Sequence, residues 1–170
     1  MNYFELYNVP VTFQPDQVLL KKKFYELSRK YHPDFFTQET EMAQTDALEI
    51  SSLVNKAYKT FTNQEATIKY VLQLKGVLEE EEKYQLPPDF LMDVMDLNEQ
   101  LQDAKTDNNE ATVSDLKRKI GALQEAVFIP VKNIITSYND QTSAIEDLQP
   151  VKEYYFKKKY IDRILATIQS

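Results

Sequence analysis

Cysteine is absent from this 170-residue chain. That removes disulfides, thiolate zinc sites, cysteine nucleophiles and cysteine-ligated clusters at once, and it fits a reducing compartment. Tryptophan is absent too, and the two glycines are too few for the glycine-rich loop that cradles a phosphate, so the chain is not expected to bind a nucleotide itself. There is a single histidine, and the carboxylates scattered through the chain give it no metal-ligand spacing. No apolar run approaches the roughly 20 residues of a membrane span. The opening MNYFELYNVP reads as neither a signal peptide nor an arginine-rich transit peptide. Positive charge is in deficit, 20 Lys and Arg against 27 Asp and Glu for a net charge of −7, which argues against general nucleic-acid binding. What is there, 42% hydrophobic and 28% charged residues, suits a soluble, cytoplasmic globular protein with a core of its own and no cofactor.

Helical periodicity runs through almost the whole chain. After a short apolar opening, Tyr3 to Tyr7, and a loop holding Pro10 and Pro15, Asp16 offers an N-cap. Leu20, Phe24, Leu27 and Tyr31 then recur at spacings of four, three and four. Pro33 stops this helix, because a residue before proline is pushed away from helical angles. A second stripe comes next in Ala43, Ala47, Ile50, Val54, Ala57 and Phe61. Neither stripe can bury its face alone, so the two are expected to close as an antiparallel hairpin. A shorter helix is predicted over Glu65 to Lys75, ending at Gly76.

The run Glu79-Glu80-Glu81-Glu82 followed by Pro87-Pro88 is the best boundary in the chain. Beyond it, Phe90, Val94, Leu97, Leu101 and Ala104 form one core stripe, and Val113, Leu116, Ile120, Leu123 and Val127 a second, on a helix from about Glu110 to Tyr138. Pro130 is expected to kink or break that helix. A last segment, from about Ser143, carries Tyr154, Ile161, Ile164 and Ile168. Three amphipathic helices without strand signals predict a three-helix bundle.

The residues with the most to say form the turn His32-Pro33-Asp34. Proline ends one helix, and the acid can cap the next turn of chain. Acid–base chemistry by His32, oriented by Asp34, would need a nucleophile that nothing nearby supplies. The surroundings point elsewhere. Lys21, Lys22, Lys23, Arg29 and Lys30 precede the turn, with Glu26 the one opposing charge between positions 17 and 31. A cationic helix in an acidic chain suits an acidic partner surface.

The stretch from Leu20 to Asp34, with Asn55-Lys56-Ala57-Tyr58-Lys59-Thr60-Phe61 on the partner helix, resembles the J-domain, the module through which co-chaperones stimulate DnaK-type chaperones. The likeness covers about residues 1 to 75. It implies that His32, Pro33 and Asp34 trigger ATP hydrolysis on the chaperone, and that Lys21, Lys22, Lys23, Arg29 and Lys30 dock there. The catalysis would belong to the partner. Phe35, where many J-domains have lysine, and Glu26, in place of a common basic residue, depart from the general pattern. The opening Met1-Asn2-Tyr3-Phe4-Glu5-Leu6, the absence of a glycine/phenylalanine-rich linker or a cysteine-rich module, and Asp89-Phe90-Leu91-Met92-Asp93-Val94-Met95-Asp96-Leu97-Asn98-Glu99 are similar to the HscB group, which serves iron–sulfur cluster assembly.

In the second half, periodicity leaves Leu91, Met92 and Met95 partly outside the core stripe, and Asp96, Glu99 and Asp103 continue that side. Two readings stay open here, an adaptable methionine contact surface and a mere widening of the core. On the last helix Phe156 lies about 200 degrees from Tyr154, off the core stripe. Lys152, Lys159 and Arg163 share its face, either for a partner or for the protein's own acidic helix. The resemblance implies that Leu91, Met92, Met95, Asp96, Glu99, Asp103 and Phe156 contact an IscU-type iron–sulfur scaffold.

The expectation is an all-α protein with a J-domain helical hairpin over residues 1–76, a linker over 77–88 and a three-helix bundle over 89–170. It would act not as an enzyme but as a co-chaperone between a DnaK- or HscA-type chaperone and an IscU-type scaffold, without nucleic acid, membrane, metal or cofactor. Two alternatives remain: a J-domain protein for another client, and a helical adaptor with no chaperone link.

Overall fold

The structure, a computed structural model, describes the backbone of residues 1–168 and the side chains of residues 1–166. Among the described residues there are helices and no strands, so the fold is all-α, as the periodicity predicts. The seven α-helices are α1 Tyr3–Tyr7, α2 Gln17–Lys30, α3 Glu41–Phe61, α4 Gln64–Leu74, α5 Pro88–Thr106, α6 Glu110–Ser137 and α7 Gln149–Ile168. Two single 3₁₀ turns cover Pro33–Phe36 and Ile145–Leu148. The chain divides into two compact units, one of residues 1–74 with 138–143, the other of residues 75–137 with 144–170.

In the first unit, Asp16 caps α2 as its position in the sequence predicts, accepting from the backbone N–H groups of Val18 and Leu19 at 2.9 and 3.1 Å. The Gln17 side chain, at the start of α2, donates to the carbonyl of Phe61 at the end of α3. The two helices are therefore antiparallel, and the hairpin forms. Leu20, Ala47, Val54, Ala57 and Phe61 from the two stripes are buried. Phe24 is half-buried and stacks on Tyr58, ring centroids 4.2 Å apart. Phe61 is the centre of an aromatic cluster, meeting the rings of Phe4 at 4.8 Å and Tyr7 at 5.6 Å. The Tyr7 hydroxyl donates to the Val54 carbonyl at 2.8 Å, which satisfies a buried phenol whose ionisation burial pushes far up. α4 is tied back by Tyr70, whose hydroxyl accepts from the Tyr3 backbone N–H at 2.9 Å while the two rings stack.

The second unit is a bundle of α5, α6 and α7. Its core joins Phe90, Val94, Leu101 and Ala104 with Leu116 and Ile120 and with Ile161 and Ile164. These positions lie on the stripes the spacing defines; Ile168, the last of them, lies outside the residues whose side chains are described. The expected break at Pro130 does not occur, since α6 runs unbroken through it from Glu110 to Ser137. Proline cannot donate to the carbonyl of Ala126 one turn back. Both residues face solvent, where bulk water can serve that carbonyl, so the lost bond is not a buried one.

The stretch 77–88, which composition reads as a linker, belongs to the second unit. Val77 and Leu78 are buried. Gly76 and Glu81 adopt left-handed backbone conformations, φ 71° and 57°. Glycine does so freely, whereas a glutamate there is uncommon and costs energy that the surroundings must offset.

Candidate functional site

The hairpin presents its turn to solvent. α2 stops at Lys30 with Tyr31 as its C-cap, and Arg29 and Lys30 occupy the last turn, where the negative end of the helix dipole favours cations. Lys21, Lys22, Arg29 and Lys30 are exposed and Lys23 is half-buried, and the Lys30 ammonium lies 5.2 Å from the centre of the Tyr31 ring.

His32, Pro33 and Asp34 are all exposed. Asp34, expected as the cap of the next turn, does not serve as one. His32 takes that place, its Nδ1 accepting from the Asp34 backbone N–H at 3.3 Å. The Asp34 carboxylate stands 3.6 Å from the same nitrogen, beyond a good hydrogen bond. One nitrogen cannot accept from the amide and donate to the carboxylate at once, and the shorter, capping contact is the one the geometry supports. An imidazole that accepts at Nδ1 has Nε2 left to act as a donor. Proline fixes the backbone, histidine closes the turn, and the carboxylate of Asp34, 84% exposed, stands free in water. The three residues form an exposed polar turn.

In the second unit α5 carries the other set. Leu91 is half-buried, whereas Met92 and Met95 are 67% and 60% exposed. Methionines that merely widened the core would be covered, so that alternative falls. Asp96, Glu99 and Asp103 are exposed along the same side, and the Asp96 carboxylate accepts from the Gln100 amide at 2.9 Å.

Phe156 is placed differently. It lies off the core stripe, as the helical angle predicts, but it is not bare. Tyr84 stacks on it face to face, centroids 4.7 Å apart and planes 4° from parallel. Leu91 and Phe156 line one groove of about 740 Å³ together with Tyr84, Lys159 and Arg163; Met92, Met95 and the three acids lie outside it.

Lys152 turns to the irregular stretch ahead of α5 rather than to the acidic helix face. Its ammonium donates to the Val77 carbonyl at 3.0 Å, pairs with Glu82 at 2.6 Å and lies 5.7 Å from the Tyr84 ring centre. Burial pushes the Glu82 carboxyl up, but hydrogen bonds from Lys152 and from the Glu79 backbone N–H, with the charge of Lys152, outweigh it and hold the carboxyl below its ordinary value. Tyr84 is pushed up by burial and by the charge of Glu153. Tyr84 and Glu82 escape sequence reasoning because they sit in irregular chain, where no helical period marks a face. The one signal for them is an aromatic residue just after a charge run.

Breaking this clasp has a measurable consequence. Glu82→Gln should lower the stability of the protein by about 1–2 kcal/mol at neutral pH, as expected for one charge-assisted bond in a partly covered site. A folded carboxyl held below its ordinary value of 4.5 contributes stability above that pH and loses it as pH falls through the lowered folded value. The gap between wild type and variant in urea denaturation should therefore close in acid. A gap independent of pH would contradict the ion pair.

Among the described residues, no helix is long and apolar enough to cross a membrane. Comparison with known proteins agrees in one direction. Residues 86–169 match the family model described as the HSCB C-terminal oligomerisation domain. A co-chaperone protein HscB homolog of Shewanella amazonensis is 30% identical over 99% of this chain and 95% of its own. The iron–sulfur cluster co-chaperone protein HscB of Mus musculus is 30% identical over 99% of this chain and 68% of its own. The crystal structure of human co-chaperone protein HscB superposes with a TM-score of 0.77 at 28% identity, covering 99% of this chain and 81% of that one.

Proposed function

Since the chain belongs to the HscB family of co-chaperones, we propose that it serves iron–sulfur cluster assembly in the cytoplasm by stimulating the ATPase of a DnaK- or HscA-type chaperone and delivering an IscU-type scaffold to it. It is no enzyme itself; the hydrolytic chemistry is the chaperone's. The observation that carries the proposal is the exposed His32-Pro33-Asp34 turn, capped by its own histidine and set at the end of a cationic helix. Lys21, Lys22, Lys23, Arg29 and Lys30 speed and orient the encounter with an acidic chaperone surface. The turn then supplies the directional polar contacts.

The scaffold contacts are Leu91, Met92, Met95, Asp96, Glu99, Asp103 and Phe156. Exposed methionines adapt to a partner surface, and the neighbouring carboxylates select a basic one. Holding both sites on one chain raises the local concentration of scaffold near chaperone, so neither contact has to be tight.

The deciding experiment mixes the chaperone, the scaffold and this protein in one ATPase assay. Hydrolysis should rise with the protein alone and rise further when the scaffold is added; no stimulation by the wild-type protein would overturn the proposal. Met92→Ala with Met95→Ala should weaken scaffold binding by about tenfold, the loss of two exposed apolar contacts, and leave scaffold-free stimulation unchanged. Unaltered scaffold binding in that variant would favour a different client.

A further inference from the structure

The groove beside Phe156 has a charge pattern opposite to that of α5. Its walls carry a single carboxylate, Glu82, and Lys152 neutralises it. Glu153, near enough to raise the Tyr84 phenol, is paired with Lys157 at 3.7 Å. The remaining charges of the groove are Lys83, Lys159 and Arg163, all exposed. None of the three has a carboxylate within ion-pair distance among the described residues, and the Lys159 ammonium lies 5.8 Å from the Tyr155 ring centre. Leu91 and Phe156 give the same groove an apolar lining. In a protein of net charge −7, this is a cationic hollow with a greasy lining, one helix face away from a row of acids.

We infer that this groove receives an acidic segment of the scaffold, one that also offers an apolar side chain to Leu91 and Phe156. The inference rests on the assignment of α5 as the scaffold-binding face and adds the partner's polarity to it. The scaffold must present basic groups to Asp96, Glu99 and Asp103 and acidic groups to Lys159 and Arg163, with apolar contact between. Two patches of opposite sign across an apolar centre fix orientation, because a partner turned end for end would set like charge against like. A purely acidic surface would specify sign alone.

The test measures scaffold affinity by calorimetry with the full chain at low and at physiological salt. Lys159→Glu with Arg163→Glu should weaken binding by about tenfold or more at low salt and by less at higher salt, since screening weakens exposed charge pairs. Lys159→Gln with Arg163→Gln should fall between that variant and wild type. Lys117→Glu with Lys132→Glu, an equal change of net charge on exposed residues of α6, should stay within about twofold of wild type if the effect is local rather than a net-charge effect. Circular dichroism should show all of them folded, because the replaced side chains are exposed.

If the Lys159/Arg163 reversal binds as well as wild type or better, while Met92→Ala with Met95→Ala binds weakly, the inference is overturned and the α5 assignment survives. The same holds if the α6 control loses as much affinity as the groove variant. If the methionine variant also binds like wild type, or wild type does not bind the scaffold, both fall together.

Discussion

Replacing His32 with glutamine is expected to remove the stimulation of the chaperone's ATPase while leaving the protein folded. The imidazole is exposed, caps a single 3₁₀ turn and meets Phe35 only edge-on at 6.1 Å. Losing such a cap costs about 1 kcal/mol at most sites, small against the 5–15 kcal/mol that typically holds a domain together. The consequence for a partner is larger. A glutamine amide also carries an acceptor and a donor, but it lacks the planar ring that sets two nitrogens on opposite sides, so a side chain capping the turn no longer holds its donor where the imidazole does. A drop of stimulation to the chaperone's basal rate, with the melting temperature moved by only a few degrees, is the result to look for. Full stimulation by the variant would mean that the turn is only a turn.

The second large effect is on stability. Phe61→Ala should cost about 3–5 kcal/mol, the range for emptying a buried aromatic site. Phe61 is 1% exposed and is the common neighbour of Tyr3, Phe4 and Tyr7. Three rings would face the void, and none can fill it without giving up another contact: Tyr7 is held by its bond to Val54, and Tyr3 by its stack on Tyr70. Urea denaturation read through the tyrosine signals should show the midpoint falling steeply. A loss under 1 kcal/mol would mean that the cluster collapses onto the gap.

Much of this was legible in the chain, for identifiable reasons. Leu20, Val54, Leu101 and Ile120 are buried because helical spacing forces them to one face, and periodicity reports that face directly. Asp16 was legible because an acid ahead of an apolar stripe has one economical use. The break allowed for at Pro130 did not follow, because its penalty depends on whether the orphaned carbonyl is buried, which spacing alone does not reveal. His32 was legible as the centre of the turn but not as its own cap, since a ring nitrogen's partner depends on angles that sequence does not state. Lys152 was readable as a cation on a face shared with Phe156. Its partners Val77 and Glu82 come from a distant irregular stretch, and no local rule connects them. Tyr84 was hidden for the same reason, and with it the cover over Phe156.

The clasp on α7 also sets a rule of length. Lys152 and Phe156 stand four residues apart on a helix, about 6 Å along its axis. Their mates Glu82 and Tyr84 stand two residues apart in non-helical chain, which spans at most about 6.6–7.2 Å. The two rulers match, so both contacts can close together. A residue inserted or deleted between Glu82 and Tyr84 would break that match, and one added among Glu79, Glu80 and Glu81 would fall between Val77 and Glu82, both held by Lys152. Four glutamates in a row look interchangeable, yet only the last is counted from the helix it grips. Length variation among relatives should therefore gather outside the stretch from Val77 to Tyr84.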